Sequence, residues 1–398
     1  MRQPLQDVRV VEVCNVAAGP FCGMLLADMG ADVVKIEHPR GGDSMRAWPP
    51  LTGGFSENFA SLNRNKRSVA LDLKDPDDRE RALRLLSTAD VVVENNRPGV
   101  MDRLGLGYDD VRARNPAVVY CSISAFGQDG PRRTQAGFDL TLQAISGVMS
   151  VTGAADGPPA KCGVPISDFA TGLYGAFGIV STLLETRRTG RGAHLDASML
   201  GSSLAIAALQ TSQLFGTGQD PVRLGAAHPR NAPYEVFACR DGYLAVAAGN
   251  DGLWTAFCTV LQRPDLLDDD RFRSTATRAA HQAALKVIVE GDLAARDRDE
   301  LLVALADAGV PAAPINSYSE AVEDPQVEAM GWVAPLELPD GTLTRTVLSP
   351  LRLDGEGFAL TRRPPALGEH TAEVLAELGS DRTEESAHPA LATPGARP

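Results

Sequence analysis

The sequence predicts an α/β fold whose larger domain is a Rossmann-like, doubly wound parallel sheet, and three observations support this. Strand-like runs rich in Val alternate with helix-like runs through the first half of the chain. The first three runs, VRVVEV (8–13), GPFCGMLLADMG (19–30) and ADVVKIE (31–37), form a strand–helix–strand unit, which places its strands parallel with a right-handed crossover. At 398 residues the chain is longer than one hydrophobic core usually supports, so a second domain is expected.

The same alternation predicts the remaining elements of the larger domain. Strands are predicted at 68–73, 90–95, 117–123 and 193–199, and helices over 76–89, near 108–114, over 168–187 and over 200–218. In the helix over 168–187 one side is kept apolar by Phe169, Leu173, Phe177, Val180 and Leu184, and its glycines let another backbone approach closely. In such a sheet, ligand-binding loops lie at the carboxyl ends of the strands.

A boundary follows, because residues 219–233 are rich in Pro and Gly. Beyond it, a hairpin over 235–249 and helices over 251–308 predict a small α+β domain. The amphipathic stretch 367–379 is expected to pack back on the larger domain. We therefore assign 1–200 to the large domain, 201–224 to a linker, 225–325 to the small domain and 326–398 to the return linker and C-terminal part of the large domain, with a frayed tail over 380–398.

Composition narrows the classes of function. The net charge of −13 makes nucleic acid a poor partner. The six cysteines contain no CxxC pair and the six histidines no HxxxH or HExxH, so reduced thiols and no metal are expected. The first loop, NVAAGPFCG, lacks the GxGxxG pattern that seats NAD or FAD. With no signal peptide and no membrane-length apolar run, the sequence predicts a soluble, cytoplasmic protein that does not bind a membrane.

Asp168 is a carboxylate at the predicted start of a long helix, and it has two interpretations. Asp is a favoured helix cap, so a structural role explains it fully. Alternatively, the helix N-terminus stabilises an ionised nucleophile, and the small residues around it leave room for a substrate.

Two basic patches also have two interpretations each, as solvated loops or as one phosphate-binding site at the carboxyl ends of strands. The first patch contains Arg64, Lys66, Arg67 and Lys74; the second contains Asn95, Asn96, Arg97 and Arg103. A glycine loop, SAFGQDGP (124–131), follows a third strand and is equally compatible with a plain turn.

Several stretches together resemble one family. GADVVKIEHPRGGD, NRNKRSVALDLKDP, RPGVMDRLGLGYDD, VVYCSISAFGQDGP, GVPISDFATGLYGAFGIVSTLLETRRTGRG and LGEHTAEVLAELG occur in the order seen in the class III CoA-transferases, also called the CaiB/BaiF family. Within it, the chain most resembles the succinyl-CoA-dependent dicarboxylate transferases.

The resemblance implies a large domain formed by both termini, an inserted small domain and an interlocked homodimer. It also implies transfer of CoA from an acyl-CoA to a carboxylic acid, with Asp168 as the nucleophile that forms an aspartyl anhydride and then an aspartyl-CoA thioester. Acyl-CoA and a carboxylic acid are then the small-molecule partners. The implied CoA-binding residues are Val16, Ala18, His38, Leu71, Lys74, Asn95, Asn96, Arg97, Arg103 and Leu104. His38 stands where the formyl-CoA branch often has Arg.

Two alternatives differ in chemistry. The same family contains 2-methylacyl-CoA racemases, in which a His precedes an Asp; here Phe138 precedes Asp139, so one acid/base group is missing. The other alternative is an acyl-CoA-binding protein without turnover. Phe138, Asp139 and Gly249 are candidates for the substrate pocket, although Asp139 equally begins a helix. Arg230 or Arg223 could pair with a second substrate carboxylate, or either could be a surface cation.

Overall fold

The structure, a computed structural model, describes residues 3–380. Its strands in chain order are β1 (Arg9–Val13), β2 (Asp32–Glu37), β3 (Leu51–Thr52), β4 (Phe55–Ser56), β5 (Lys66–Ala70), β6 (Val91–Glu94), β7 (Val119–Ser124), β8 (Ala193–Ser198), β9 (Tyr234–Cys239), β10 (Gly242–Ala247), β11 (Ala312–Pro314), β12 (Val333–Glu337), β13 (Leu343–Val347), β14 (Arg352–Leu353) and β15 (Glu356–Gly357). Its α-helices are α1 (Ala18–Asp28), α2 (Glu57–Asn63), α3 (Pro76–Ser87), α4 (Val100–Arg103), α5 (Tyr108–Arg114), α6 (Asp139–Ile145), α7 (Ile166–Thr189), α8 (Met199–Ile206), α9 (Ala208–Thr217), α10 (Asp251–Leu261), α11 (Asp265–Asp268), α12 (Thr275–Ala280), α13 (Gln282–Leu293), α14 (Arg298–Asp307), α15 (Tyr318–Val322), α16 (Pro325–Met330) and α17 (Thr371–Ser380).

A six-stranded parallel sheet has the order β5-β2-β1-β6-β7-β8. Val10 in β1 pairs with Val33 in β2 on one side and with Val91 in β6 on the other. The strand order reverses between β1 and β6, as in doubly wound sheets, and ligands bind such sheets at the point of reversal. The prediction of an α/β fold with a large parallel sheet is therefore confirmed. Smaller antiparallel sheets accompany it, including the sheet of β11, β10 and β9.

Helices cover both faces of the parallel sheet. On one face, Val11 and Val34 pack in a core with Leu85 of α3 and Val374 of α17. On the other face, a second core joins strand residues such as Val10 to α1 and α7. Because both faces are buried, the central strands are largely apolar rather than alternating, apart from the buried Glu12 and Lys35, which is why the sequence revealed them.

The chain divides into two compact units. The first contains the residues up to Ser146, Val164–Ala207 and the residues from Gly331 onward; the second contains Gly147–Gly163 and Ala208–Met330. The predicted boundaries differ from this division: they place 147–163 in the large domain, and they start the small domain at 225 and end it at 325 instead of 208 and 330. The predicted frayed tail, 380–398, lies outside the described residues apart from its first residue.

Three predicted elements have different bounds in the structure. The single helix predicted over 200–218 is two helices, α8 and α9, which meet at Ala207. Strand β5 begins at Lys66, and helix α7 begins at Ile166, each two residues before its predicted start. The last two shifts matter for function, because they change the positions of the cations in β5 and of Asp168 in α7.

Helix α7 packs on the sheet core through Ile179 and Leu183 and on α1 through its small residues. A Cβ atom on Gly172 would lie 2.9 Å from the carbonyl oxygen of Ala18 in α1, so the predicted close approach of another backbone is confirmed. The predicted apolar side of α7 is instead open in this chain, with Leu173, Phe177 and Leu184 exposed by 55%, 73% and 72%.

The second unit has its own core. Phe237 and Leu244 of its three-stranded sheet pack with Trp254 and Phe257 of α10 and with Leu285 of α13. Within residues 3–380, none of the helices combines the length and the apolar character needed to cross a bilayer.

Candidate active site

A cavity of about 240 Å³ lies at the carboxyl ends of β1, β6 and β7. It is lined by the loop between β1 and α1, the loop after β6, the end of β7, residues 135–138, Asp168 and Met199. This is the edge where a doubly wound sheet places its ligands, since the strand order reverses between β1 and β6.

Asp168 is the third residue of α7, so the expectation that it caps the helix is wrong. The helix begins at Ile166, and Pro165 at its N-cap position provides no side-chain hydrogen bond. The cap comes from another helix: Asp139 Oδ1 accepts a hydrogen bond from the backbone amide of Ser167 at 3.0 Å. Asp168 therefore does not cap α7, and it is one of the residues that line the cavity.

The electrostatics of Asp168 also differ from the expectation that a helix N-terminus keeps its carboxylate readily ionised. Burial, together with the negative charge of Asp139 as the smaller contribution, raises the pKa of Asp168 to about 7. Both effects disfavour a charged carboxylate. The group is therefore a carboxylate whose charge is costly near neutral pH, a property common at reactive sites.

Asp139 is fixed by its own helix. Gln143, four residues later in α6 and fully buried, donates from Nε2 to Asp139 Oδ2 at 2.7 Å. One carboxylate oxygen of Asp139 thus binds Gln143 and the other binds the Ser167 amide. Sequence reasoning did not single out Gln143, although its i, i+4 spacing from Asp139 was a usable signal.

Phe138 and Gly249, the other two substrate-pocket candidates, are in different units. Phe138 lines the cavity with its side chain 72% exposed. Gly249 belongs to the second unit, where an added Cβ would lie 2.8 Å from the Cβ of Asn231. A larger residue at position 249 would therefore collide with Asn231.

Five of the ten residues predicted to bind CoA line the cavity together with Asp168: Val16, Ala18, Asn95, Asn96 and Arg97. The loops are tied to each other, because the side-chain amide of Asn95 accepts from the Asn15 amide at 2.8 Å and donates to the Asn15 carbonyl at 2.7 Å. The exposed Arg97 guanidinium lies at this rim. The arrangement combines a carboxylate, backbone groups and a cation.

The other five predicted CoA-binding residues do not line the cavity. Lys74 and Arg103 are exposed, Leu104 packs against one face of the sheet core, and Leu71 is buried in that core with its amide donating to the Glu37 carbonyl. His38 has its Nε2 3.7 Å from Asp72 Oδ2.

The phosphate-binding interpretation is wrong for Arg64, Lys66 and Arg67, and so is the solvated-loop alternative. All three are buried, and each pairs with carboxylates: Arg64 with Asp28, Lys66 with Glu12, and Arg67 with Asp32, Glu373 and Glu377. Because β5 begins at Lys66, these cations lie at or before its amino end, away from the edge that carries the cavity.

No group of three or more His, Cys, Asp or Glu side chains within residues 3–380 is placed to hold a metal ion.

Comparison with known proteins shows the family to which this chain belongs. Residues 5–371 match the family described as CoA-transferase family III. The chain is 41% identical to a succinate–glutarate CoA-transferase of Agrobacterium fabrum, over 95% of this chain and 96% of that protein. It is 38% identical to a succinyl-CoA:mesaconate CoA-transferase of Haloarcula hispanica, over 94% and 96%.

The fold is also shared with a solved structure. A CaiB/BaiF family protein from Brucella suis superposes with a TM-score of 0.85 at 38% identity, covering 95% of this chain and all of that one. The family match spans residues 5–371, and the relatives named above share up to 41% of their residues with this chain over nearly its whole length. This protein therefore belongs to CoA-transferase family III.

Proposed function

We propose that this protein transfers CoA from an acyl-CoA thioester, succinyl-CoA or a similar donor, to a carboxylic acid through covalent intermediates on Asp168. The observation that carries the proposal is the position of the Asp168 carboxylate in a cavity shared with Val16, Ala18 and Asn95–Arg97. A carboxylate able to attack a thioester therefore lies beside groups suited to binding CoA.

The reaction consists of two acyl-transfer steps at Asp168 with the donor, followed by the same two steps in reverse order with the acceptor acid. An Asp168 oxygen attacks the donor thioester carbon, the C–S bond breaks, and an aspartyl anhydride and CoA thiolate result. The thiolate then attacks the aspartyl carbonyl of the anhydride, which gives aspartyl-CoA and releases the donor acid as its carboxylate. The acceptor carboxylate attacks the aspartyl-CoA carbonyl and displaces the thiolate, which completes the transfer by attacking the acceptor acyl carbon and freeing Asp168.

The environment of Asp168 favours these intermediates. The buried charge of Asp168 is costly because of burial and of Asp139, as the raised pKa of Asp168 shows. The aspartyl groups of the anhydride and of the thioester are neutral, so acylation removes that charge from the cavity. The destabilised carboxylate is thus a stronger nucleophile once ionised.

The substrate class we propose is the dicarboxylic acids. The relatives reported above are named for succinate, glutarate and mesaconate. Arg223 and Arg230 of the second unit remain candidates for the second carboxylate: neither forms an ion pair with a described carboxylate, and Arg223 Nε is buried without a hydrogen-bond partner within residues 3–380. His38, Leu71, Lys74, Arg103 and Leu104 are proposed to contact the outer parts of CoA.

We further propose that the protein acts as a homodimer. The apolar side of α7 supports this, because Leu173, Phe177 and Leu184 are large and exposed in the single chain. Sedimentation of the purified protein at micromolar concentration tests it, and a monomer would contradict it.

Intact-mass spectrometry after mixing with succinyl-CoA tests the central step. We expect a CoA adduct that Asp168→Asn abolishes, with turnover reduced by a factor of about 10³ or more. Asp307→Asn, at an exposed carboxylate in α14, is the matched control and should keep the adduct. Exchange of the α-proton of a 2-methylacyl-CoA without an adduct would instead indicate a racemase, and binding without either would indicate a CoA-binding protein.

A further inference from the structure

Val16 has an unusual backbone conformation within the candidate active site. Its φ of 65° lies in the left-handed region, where a β-branched residue is strained. The residue lines the same cavity as Asp168. Such strain persists only where the surrounding structure imposes it, and it concentrates at functional sites.

Asp43 imposes this conformation. The backbone amide of Val16 donates to both carboxylate oxygens of Asp43, at 3.1 Å and 3.2 Å. Asp43 is only 1% exposed, so the bond is shielded from water. On the other side, the neighbouring Asn15 is held by Asn95. The loop between β1 and α1 is therefore held by hydrogen bonds with Asp43 and Asn95, with Val16 in the left-handed conformation.

A buried chain of charges fixes Asp43 in turn. Lys35 Nζ lies 3.1 Å from Asp43 Oδ2 and 3.1 Å from Glu12 Oε1, and it donates to the carbonyl of Cys14 at 2.7 Å. Burial alone would lower the pKa of Lys35, but Glu12 and Asp43 outweigh it and raise that pKa, so Lys35 stays charged.

Lys66 completes the network by donating to both oxygens of Glu12 at 3.0 Å, and Glu12, Lys35 and Lys66 have no exposed surface. Apolar side chains in such a place are often at least as stabilising as buried ion pairs. Stability alone therefore does not explain the network, whereas a need to hold one loop in one conformation does.

We propose that Asp43 is a positioning residue of the active site, which holds Val16 in its left-handed conformation and so fixes the loop between β1 and α1 beside Asp168. The catalytic part of this inference rests on the proposed role of Asp168 as the nucleophile. Asp43 also accepts from the amide of Met45 at the start of a short 3-10 turn, Ser44–Ala47, so the test must separate the two roles.

Thermal unfolding of the full-length protein tests the strain. Val16→Ala and Val16→Gly both remove the valine methyls, but only glycine relieves a positive φ. We expect Val16→Gly to melt higher than Val16→Ala by about 2 °C, the reverse of the usual order. If Val16→Ala melts higher, Val16 is not held in a strained conformation and the proposal is overturned.

A double-mutant cycle tests the link to catalysis. In the Val16 background, Asp43→Ala should lower kcat/KM for succinyl-CoA by about tenfold to a hundredfold, because a displaced loop misplaces the reacting groups. In the Val16→Gly background, the same change should cost less than about threefold, since glycine adopts the conformation unaided. Equal losses in both backgrounds would assign Asp43 to the 3-10 turn alone and overturn the proposal.

One further variant serves as a control for the cycle, and another replaces Asp43→Ala if that variant does not fold. Asp75→Ala removes a carboxylate that accepts from two backbone amides at the start of α3, so it controls for loss of a cap and should leave kcat/KM within about threefold. If Asp43→Ala does not fold, Asp43→Asn replaces it in the cycle: it keeps the oxygen shared by Met45 and Val16 but loses the Oδ2 contacts to Val16 and Lys35, so a smaller loss that Val16→Gly again reduces is expected. Absence of any Asp168 adduct in the wild-type protein would refute the proposed function, whereas the melting order of the Val16 variants would still decide the strain.

Discussion

Asp139 Oδ1 accepts a hydrogen bond from the backbone amide of Ser167 at 3.0 Å, one residue before Asp168. This contact does two things at once. It supplies the cap that Pro165 cannot give to α7, and it places a negative charge where it raises the pKa of Asp168. The geometry and the electrostatics of the proposed nucleophile thus depend on the same side chain.

The pH dependence of catalysis should respond to Asp139. Ionisation of Asp168 is required for attack, so kcat/KM should rise with pH through about 7, the raised pKa of Asp168. Asp139→Asn removes the repulsion but keeps an oxygen for the Ser167 amide, so the midpoint of the pH profile should move to lower pH. Steady-state kinetics from pH 5 to 9 measures it, with Asp307→Asn as the unchanged control. A midpoint that stays or rises would contradict the role given to Asp139.

Stability should depend on pH in a direction set by Asp168. Its pKa in the folded protein, about 7, is above its usual value of 3.8, so the native state binds this proton more tightly than the unfolded state. The contribution of this proton to the free energy of unfolding is present at low pH and is lost as the pH rises toward 7. Asp168→Asn does not titrate, so it should match the wild type near pH 4 and exceed it at pH 8 by on the order of 3 kcal/mol. Urea unfolding at the two pH values measures this; equal stability at pH 8 would contradict the raised pKa.

Arg64 and Arg97 should affect different quantities. Arg64 is buried and binds Asp28 through Nη2 at 2.6 Å and Nε at 3.2 Å, so Arg64→Met should lower the free energy of unfolding by about 3 kcal/mol. Arg97 is exposed at the rim of the cavity, so Arg97→Met should raise KM for acyl-CoA about tenfold with little loss of stability. Urea denaturation measures the free energy of unfolding of both variants, and steady-state kinetics measures their KM for acyl-CoA. A large change in KM with Arg64→Met and none with Arg97→Met would reverse the assignment.

Gly172 and Gly178 provide a matched pair on α7. A Cβ at Gly172 would lie 2.8 Å from Phe21 and 2.9 Å from the Ala18 carbonyl oxygen, whereas a Cβ at Gly178 would have its nearest such neighbour at 3.6 Å. Gly172→Ala should therefore displace α1 and destabilise the protein by about 1–3 kcal/mol. Gly178→Ala should be neutral or slightly stabilising, since alanine favours helix. Calorimetry on the two variants measures the difference, and equal melting temperatures would show that α1 and α7 do not need glycine at 172.

The sequence by itself determined the alternation of strands and helices, because strands buried on both faces are largely apolar and helices show their own period. Its resemblance to a known family also picked out Asp168 and the residues Val16, Ala18 and Asn95–Arg97, which line the same cavity. The alternation is local along the chain, whereas the resemblance depends on several stretches that occur in order.

Only the tertiary structure decided which charges are buried and what they contact. Lys66 and Glu12 are 54 residues apart, and Asp139 lies 28 residues before the amide that it caps. Nothing in their own neighbourhoods shows that these side chains meet, because an ionic or hydrogen-bonded contact depends on distances that the packed sheet and helices create. The basic stretch around Lys66 therefore resembled a phosphate site and proved to be an internal ion-pair network, and the pKa of Asp168 was raised by a carboxylate from a different helix.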